Sequence, residues 1–298
     1  MNFRPNLFNF VHPNALPFPN PPFPTTMSSS KLRILYAATE IDPFLQTTKV
    51  AEFLRRLPQG MQEMGMEIRI FVPRFGIINE RKNRLHEVVR LSGINIAVGE
   101  DEKPLIIKVA SIPNAKLQVY FIDNEDYFHR KSVLVDKNDK FHADNDERAI
   151  FFCKGVLETV KKLGWAPDVV HCNDWMTGLI PMYLKTTYKK DPIFKDAKSV
   201  FTIYNNEFDF KFQGDIIEKA KMLDIDDDML ACLKTADFGG FIKVGMEYAD
   251  AVMKSDEDFS DNLNVLFTEY SRSKQLGQVG ADENLLTSYY ALYNELAN

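Results

Sequence analysis

Cysteine is scarce. The chain holds three in 298 residues, Cys153, Cys172 and Cys232, and none is spaced Cys-x-x-Cys. An odd, dispersed set gives no disulfide framework and points to a reducing, cytoplasmic setting. A basic excess is also missing: 36 Lys+Arg stand against 42 Asp+Glu, a net charge of −6. General nucleic-acid binding needs a cationic face, so that class is disfavoured. No apolar run reaches the ~18 residues of a membrane span. What remains is an ordinary globular composition, 45% hydrophobic and 26% charged, long enough for one large domain or two small ones.

Residues 1–30 lack glycine but hold seven of the fifteen prolines and five phenylalanines. Each proline fixes φ and removes a donor, so neither a regular helix nor a central strand is expected there. No apolar stretch follows a basic start, which argues against a signal peptide. The expectation is a disordered Pro/Phe-rich tail, with Met27 as an alternative start; an interaction arm is the other reading. Residues 31–298 are expected to form a single domain.

From Lys31 onward, short apolar runs alternate with helical stripes. Leu32–Ala38 reads as a buried strand. Val50, Phe53, Leu54, Leu57, Met61 and Met64 recur at helical spacing, with Pro58 expected to kink or restart the helix and Gly65 to stop it. Ile68–Val72 is a second strand. Val88–Leu91, Ile94–Val98, Leu105–Ala110 and Leu117–Asp123 read as short strands of an antiparallel insertion or edge extension. Asp144 and Glu147 have the spacing of a capping box opening a helix through Lys162. Further strands are expected at Asp168–His171, Ser199–Tyr204 and Ala251–Met253. Helices are expected at Trp175–Tyr188 and Gly240–Tyr248, and a last one at Leu285–Leu296 should dock back on the body. This alternation predicts an α/β fold, a Rossmann-like three-layer sandwich with a mainly parallel sheet. Ligands bind such sheets at the carboxyl ends of strands, which directs attention to Thr39–Lys49, Cys172–Thr177 and Asn205–Gly214.

Several segments, in order, resemble the N-terminal half of bacterial glycogen/starch synthases. Ile34–Phe44 is similar to that family's opening strand and Ser-Glu-x-x-Pro-Phe loop. Leu57-Pro58 with Gly65–Arg74 is similar to its first helix and second strand. Asp168-Val169-Val170-His171-Cys172-Asn173-Asp174-Trp175-Met176-Thr177 resembles Asp-Val-Val-His-x-His-Asp-Trp-His-Thr. Phe201–Asn205 and Phe212-Gln213-Gly214 resemble Thr-Ile-His-Asn and Tyr-Gln-Gly, and Phe241–Val252 resembles Leu-Lys-x-Gly-x-x-x-Ala-Asp-x-Val. The set covers roughly Lys31 to Ser260. The resemblance implies the N-terminal domain of a GT-B glycosyltransferase that moves glucose from ADP-glucose to an α-1,4-glucan, with no metal or other cofactor. It implies that Gln46, Thr47, Thr48 and Lys49 face the donor phosphates. Glu52, Asp174, Trp175, Tyr204 and Asn205 would line the sugar cleft, Asp174 and Tyr204 being the candidate catalytic residues.

The departures fall at those positions. Where the family has Lys-x-Gly-Gly-Leu, this chain has Gln46-Thr47-Thr48-Lys49-Val50, and a β-branched residue crowds the close backbone approach that glycine permits. Glu52 keeps the acid of the Ala-Asp pair. Asn173 and Met176 replace two histidines, and Tyr204 replaces a third; a tyrosine can donate a hydrogen bond but does not transfer protons near pH 7. Fewer than forty residues follow Ser260, too few for the family's second domain, so a protein partner supplying the facing half is one expectation. A non-catalytic, glucan-binding or regulatory pseudoenzyme is the alternative to a transferase.

Other motifs have plainer readings. Asp174 could equally be a helix cap below a packed Trp175. His171 is expected to be a core histidine, and Cys172 has no adjacent base. The acids of Asp136–Glu147 lack the spacing of an EF-hand, Asp224–Asp228 reads as a helix start, and Asp237–Gly240 as a turn before a helix. Phe201 and Phe212 are candidates for a sugar platform or for core.

Overall fold

The computed structural model describes residues 31–255, 259–270, 275–278 and 284–298; the expectations for residues 1–30, Met27 included, lie outside them. Residues Lys31–Asn298 form one compact unit. Among the described residues ten strands make one sheet: β1 Arg33–Ala37, β2 Glu67–Pro73, β3 His86–Glu87, β4 Ile94–Val98, β5 Asp101–Ser111, β6 Gln118–Asp123, β7 Val169–Asn173, β8 Lys198–Ile203, β9 Ala251–Lys254 and β10 Gln275–Gln278. Their order is β10-β9-β8-β7-β1-β2-β6-β5-β3, with β4 paired to β5. The run from β10 to β6 is parallel, while β3, β4 and β6 pair antiparallel with β5. The sheet is thus a parallel body with an antiparallel edge extension.

Alternate residues of the central strands serve opposite helical layers, as the period of two requires. Tyr36 of β1 and His171 of β7 point to one face, where they meet Tyr289 and Tyr293 of the helix Leu285–Ala297 and Phe53 of the helix Lys49–Glu63. His171 binds the Tyr293 hydroxyl at 2.6 Å and the Thr202 hydroxyl at 2.7 Å, and Tyr36 donates to Tyr293 at 3.1 Å. Burial pushes the His171 pKa down to about 3, so this is a neutral, satisfied core histidine. Cys172 points the other way, next to Cys153 of the helix Asn145–Leu163.

Four local expectations need correction. The first helix is not restarted at Pro58 but runs through it as one element, Lys49–Glu63. Its lost backbone bond is outweighed by burial of Leu54, Leu57, Pro58 and Met61, because packing rather than propensity holds most protein helices. Asp144 precedes the helix Asn145–Leu163 without capping it: Arg130 Nη1 takes its carboxylate at 2.6 Å, and Glu147 is bound by Lys219 at 2.8 Å. Val88–Leu91 is a turn, with Leu91 N–H donating to the Val88 carbonyl at 2.8 Å. The stretch after Trp175 divides into a 3-10 turn, Trp175–Thr177, and a short helix, Ile180–Lys185.

The helix Phe238–Tyr248 begins on an Asp237 cap, whose carboxylate accepts from Gly240 N–H at 3.0 Å. It lies so close to β8 that a Cβ on Gly245 would stand 2.5 Å from the Phe201 ring. Both helix and strand are held by their own neighbours, so the ring cannot retreat cheaply. Gly245→Ala should therefore cost about 1–3 kcal/mol by overpacking, read as a fall of several degrees in the thermal unfolding midpoint. An unchanged midpoint would show that this contact is slack.

Candidate functional site

The chain leaves β1 towards β2 and β6 on one side and returns to β7 and β8 on the other. The loops after β1 and β7 therefore diverge, and a crevice opens beyond their carboxyl ends, the usual ligand position in open α/β sheets. A pocket of about 250 Å³ lies there. Thr39, Glu40, Thr47 and Thr48 come from the loop after β1, Asp174 and Met176 from the turn after β7, and Asn206, Glu207 and Phe208 from the loop after β8. Phe75, Phe141 and the segment 133–135 close the far side.

Asp174 is the floor, 3% exposed. Its φ of 77° and ψ of 160° fall in a region that is essentially glycine's. Neighbours impose this conformation. Its N–H donates to the Thr202 carbonyl at 3.1 Å, and its own carbonyl accepts from Thr177 N–H at 3.0 Å and from the Thr177 hydroxyl at 2.7 Å. The carboxylate accepts from Trp175 N–H at 2.7 Å, Asn206 Nδ2 at 2.7 Å and the Thr39 hydroxyl at 2.9 Å. Asp174 is thus both a cap and a pocket residue. Burial pushes its pKa up to about 6, with the Glu40 charge adding to that push, against the lowering effect of those three hydrogen bonds.

Glu40 is not among the residues that the sequence singles out. It is 3% exposed and its carboxylate faces the loop where the family's glycines would stand. Thr47 N–H and the Thr47 hydroxyl donate to Oε2 at 2.8 and 2.7 Å. Thr48 N–H donates to Oε1 at 2.6 Å, and the Thr48 hydroxyl donates to the same oxygen. Thr48 also caps the helix Lys49–Glu63, accepting from Val50 N–H at 3.2 Å. The signal for Glu40 is its place in the Thr39-Glu40-x-x-Pro43-Phe44 segment; nothing in the spacing says that it folds back on its own loop.

Of the sequence-derived candidates, the structure brings Thr47, Thr48 and Asp174 together in this pocket. Gln46, Lys49 and Glu52 are exposed and do not line it. Trp175 is fully buried, packed on Phe208 at 5.0 Å and Phe241 at 5.4 Å, so it supports the aromatic wall from behind. Tyr204 is buried and donates to Asn173 Oδ1 at 3.1 Å, holding the end of β7. Asn205 is exposed and accepts from Ser260 N–H at 3.3 Å, while its neighbour Asn206 enters the pocket. Phe201 and Phe212 are core. The accessible aromatics are Phe141 and Phe208, stacked at 4.5 Å. Among the described residues no group of three or more His, Cys, Asp or Glu is arranged to hold a metal ion. No helix among them is long and apolar enough to cross a membrane.

The raised pKa of Asp174 carries a stability signature. The folded state holds that proton more tightly than the unfolded chain, whose value is near 3.8. Stability is therefore lost as pH rises from about 4 to about 6 and stays lost above. Asp174→Asn carries no charge at any pH, so it should gain on the parent by about 1–3 kcal/mol across that window. Urea midpoints at pH 4, 5, 6 and 7.5 measure the gap, and a gap that narrows with pH would contradict the assignment.

Comparisons with known proteins give the family and the fold. The starch synthase catalytic domain model matches residues 33–267. A glycogen synthase of Chlorobium limicola is 36% identical over 239 residues, covering 80% of this chain and 48% of that protein. One from Chlorobium luteolum is 44% identical over 182 residues, covering 60% and 37%. Among solved structures, the catalytic domain of starch synthase IV from Arabidopsis thaliana superposes with a TM-score of 0.65 at 15% identity, covering 83% of this chain and 51% of that one, and it has the same fold. The chain spans about half the length of the curated relatives it matches. On the family match across most of its length, the chain belongs to the starch synthase catalytic domain family.

Proposed function

We propose that the chain acts in α-glucan biosynthesis as the N-terminal half of a glucosyltransferase site, with ADP-glucose as donor and a growing α-1,4-glucan as acceptor. The observation that carries this reading is the pocket at the ends of β1 and β7, where a strained, buried Asp174 meets a stacked aromatic pair, Phe141 and Phe208. Sugars present apolar C–H faces that pack on aromatic rings and hydroxyls that donate to carboxylates, so this lining suits a glucan segment. The Arabidopsis thaliana starch synthase IV catalytic domain, which has the same fold, is described as bound to ADP and acarbose.

In this reading Asp174 holds an acceptor hydroxyl, and Tyr204, through Asn173, positions the strand end that carries it. Trp175 backs the wall. Gln46 and Lys49 flank the lining residues Thr47 and Thr48 in sequence, and Asn205 precedes Asn206; in this reading Lys49 would meet donor phosphate, with Glu52 and Asn205 toward the sugar. Closure of the opposite side, by chain outside this match or by a partner protein, supplies the proximity and water exclusion that group transfer needs. Transfer by the isolated chain is therefore weak or absent.

A second reading, a non-catalytic glucan-binding or regulatory member, is favoured by one specific observation: the loop amides that would meet the donor are engaged by Glu40. Calorimetry against ADP-glucose separates the two, because nucleotide binding that Lys49→Ala abolishes supports only the first; transfer of labelled glucose from ADP-glucose to glycogen, with glycogen co-sedimentation, tests what they share. The expected result is glucan binding with little turnover, and binding weakened roughly tenfold by Phe208→Ala, which removes one stacking face. Robust turnover by the single chain would remove the second reading, and no glucan binding would remove both.

A further inference from the structure

The far wall of the pocket is a small hairpin whose internal bonds set its shape rather than its position. Val135 and Phe141 pair as an antiparallel bridge, and Asp136 N–H donates to the Lys140 carbonyl at 2.7 Å. The Asp136 carboxylate accepts from Asn138 N–H at 2.7 Å and from Lys140 N–H at 3.0 Å. Attachment to the body comes from two side chains of the helix Asn145–Leu163. Arg148 Nη1 donates to the Val133 carbonyl at 2.6 Å, and Asn145 Nδ2 donates to the Leu134 carbonyl at 2.9 Å. Residues three apart share a helix face, so both reach the same stretch of chain. From this geometry we propose that Arg148 is a positioning residue for ligand binding, which holds the wall 133–141 in register with Phe208 through Val133 directly and through Asn145 onto Leu134. The inference rests on the glucan reading above for the ligand, and adds to it the residue that keeps the pocket in shape.

Arg148 is suited to this task by its surroundings. It is fully buried, so water does not compete for its bonds. Its guanidinium lies between the rings of Phe75 and Phe128, 5.2 and 5.4 Å from their centroids, and Phe75 itself lines the pocket. The side chain therefore joins the backbone of the wall to an aromatic residue of the body. Nη1 also donates to Asn145 Oδ1. That bond turns the amide so that its nitrogen, not its oxygen, faces the Leu134 carbonyl. One nitrogen thus governs both grips. The other attachments act elsewhere: Arg130 pairs with Asp144 at the foot of the segment, and Phe141 stacks on Phe208, a contact between two loops.

The arrangement is costly, which argues for a directional role. Among the described residues Arg148 Nε and Nη2 have no hydrogen-bond partner. Burying a guanidinium with polar groups left over is unfavourable, and a well-packed apolar side chain of similar volume often serves stability as well or better. What an apolar replacement cannot supply is the pair of bonds that fixes Val133 and the Asn145 amide.

Hydrogen exchange on the full chain, read by mass spectrometry, separates positioning from bulk stability. In Arg148→Met, amides of 133–142 should exchange at least about tenfold faster, while those of β1 and β7 keep the wild-type rate. The dissociation constant for maltoheptaose, measured by calorimetry, should rise about tenfold. Asn145→Ala, which frees the Leu134 carbonyl alone, should give a smaller change in the same peptide and carries the test if the methionine variant does not fold. Unchanged exchange at 133–142 in a folded variant, or exchange that rises equally across the sheet, would overturn the positioning role. Faster exchange with unaltered maltoheptaose affinity would overturn its link to the ligand. A wild type that ignores maltoheptaose would overturn the glucan reading, and with it the ligand named here, while the exchange data still decide whether Arg148 holds the wall.

Discussion

Strand β1 is paired in parallel on both edges, Ile34 lying beside Ile68 of β2 and beside Val169 of β7. Because the chain builds outward to β2 and β6 before it returns to β7, the connections on the two sides of β1 depart in opposite directions. A gap opens between them, and the residues of chemical interest gather there. Thr39 and Glu40 follow β1 directly, Asp174 follows β7, and the Thr39 hydroxyl bridges the two loops by donating to Asp174. Were either pairing lost, the acids would no longer share a pocket.

The same junction tolerates two unfavourable features. A non-glycine residue in the conformation of Asp174 costs on the order of 1–3 kcal/mol, and a carboxylate buried there adds a solvation penalty. Both persist because the surroundings over-determine them: β8 fixes the backbone through Thr202, the Thr177 hydroxyl and N–H fix the carbonyl, and three donors share the carboxylate. The loop after β1 shows the opposite design. Its exposed residues, Thr47 and Thr48, are held by a buried one, Glu40.

Much of the fold was legible because burial on two faces gives parallel strands continuous apolar runs, and amphipathic helices a clear stripe. Arg33–Ala37, Glu67–Pro73, Val169–Asn173 and Lys198–Ile203 are such cases. What escaped depended on distant partners. Pro58 is tolerated by the core it packs on, Asp144 is diverted by Arg130, and Gln275–Gln278 is a strand only because β9 offers an edge. In the site, the family resemblance reached Thr47, Thr48 and Asp174, the last read equally as a helix cap. It covered Glu40 within the Thr39-Glu40-x-x-Pro43-Phe44 segment but gave it no role, because a contact across seven residues of irregular loop has no period to betray it. It also settled on Asn205 when the adjacent side chain enters the pocket, the sort of one-residue offset that only backbone direction resolves.

The tyrosines of Leu285–Ala297 reach across the sheet to His171 and Tyr36, yet the stretch shared with the family ends at residue 267. Homology and the folding unit therefore have different limits in this chain. A fragment trimmed to the shared stretch would bare an aromatic trough over β1 and β7. It would also strand the imidazole of His171 without its Tyr293 partner, on the very strand whose end carries Asp174.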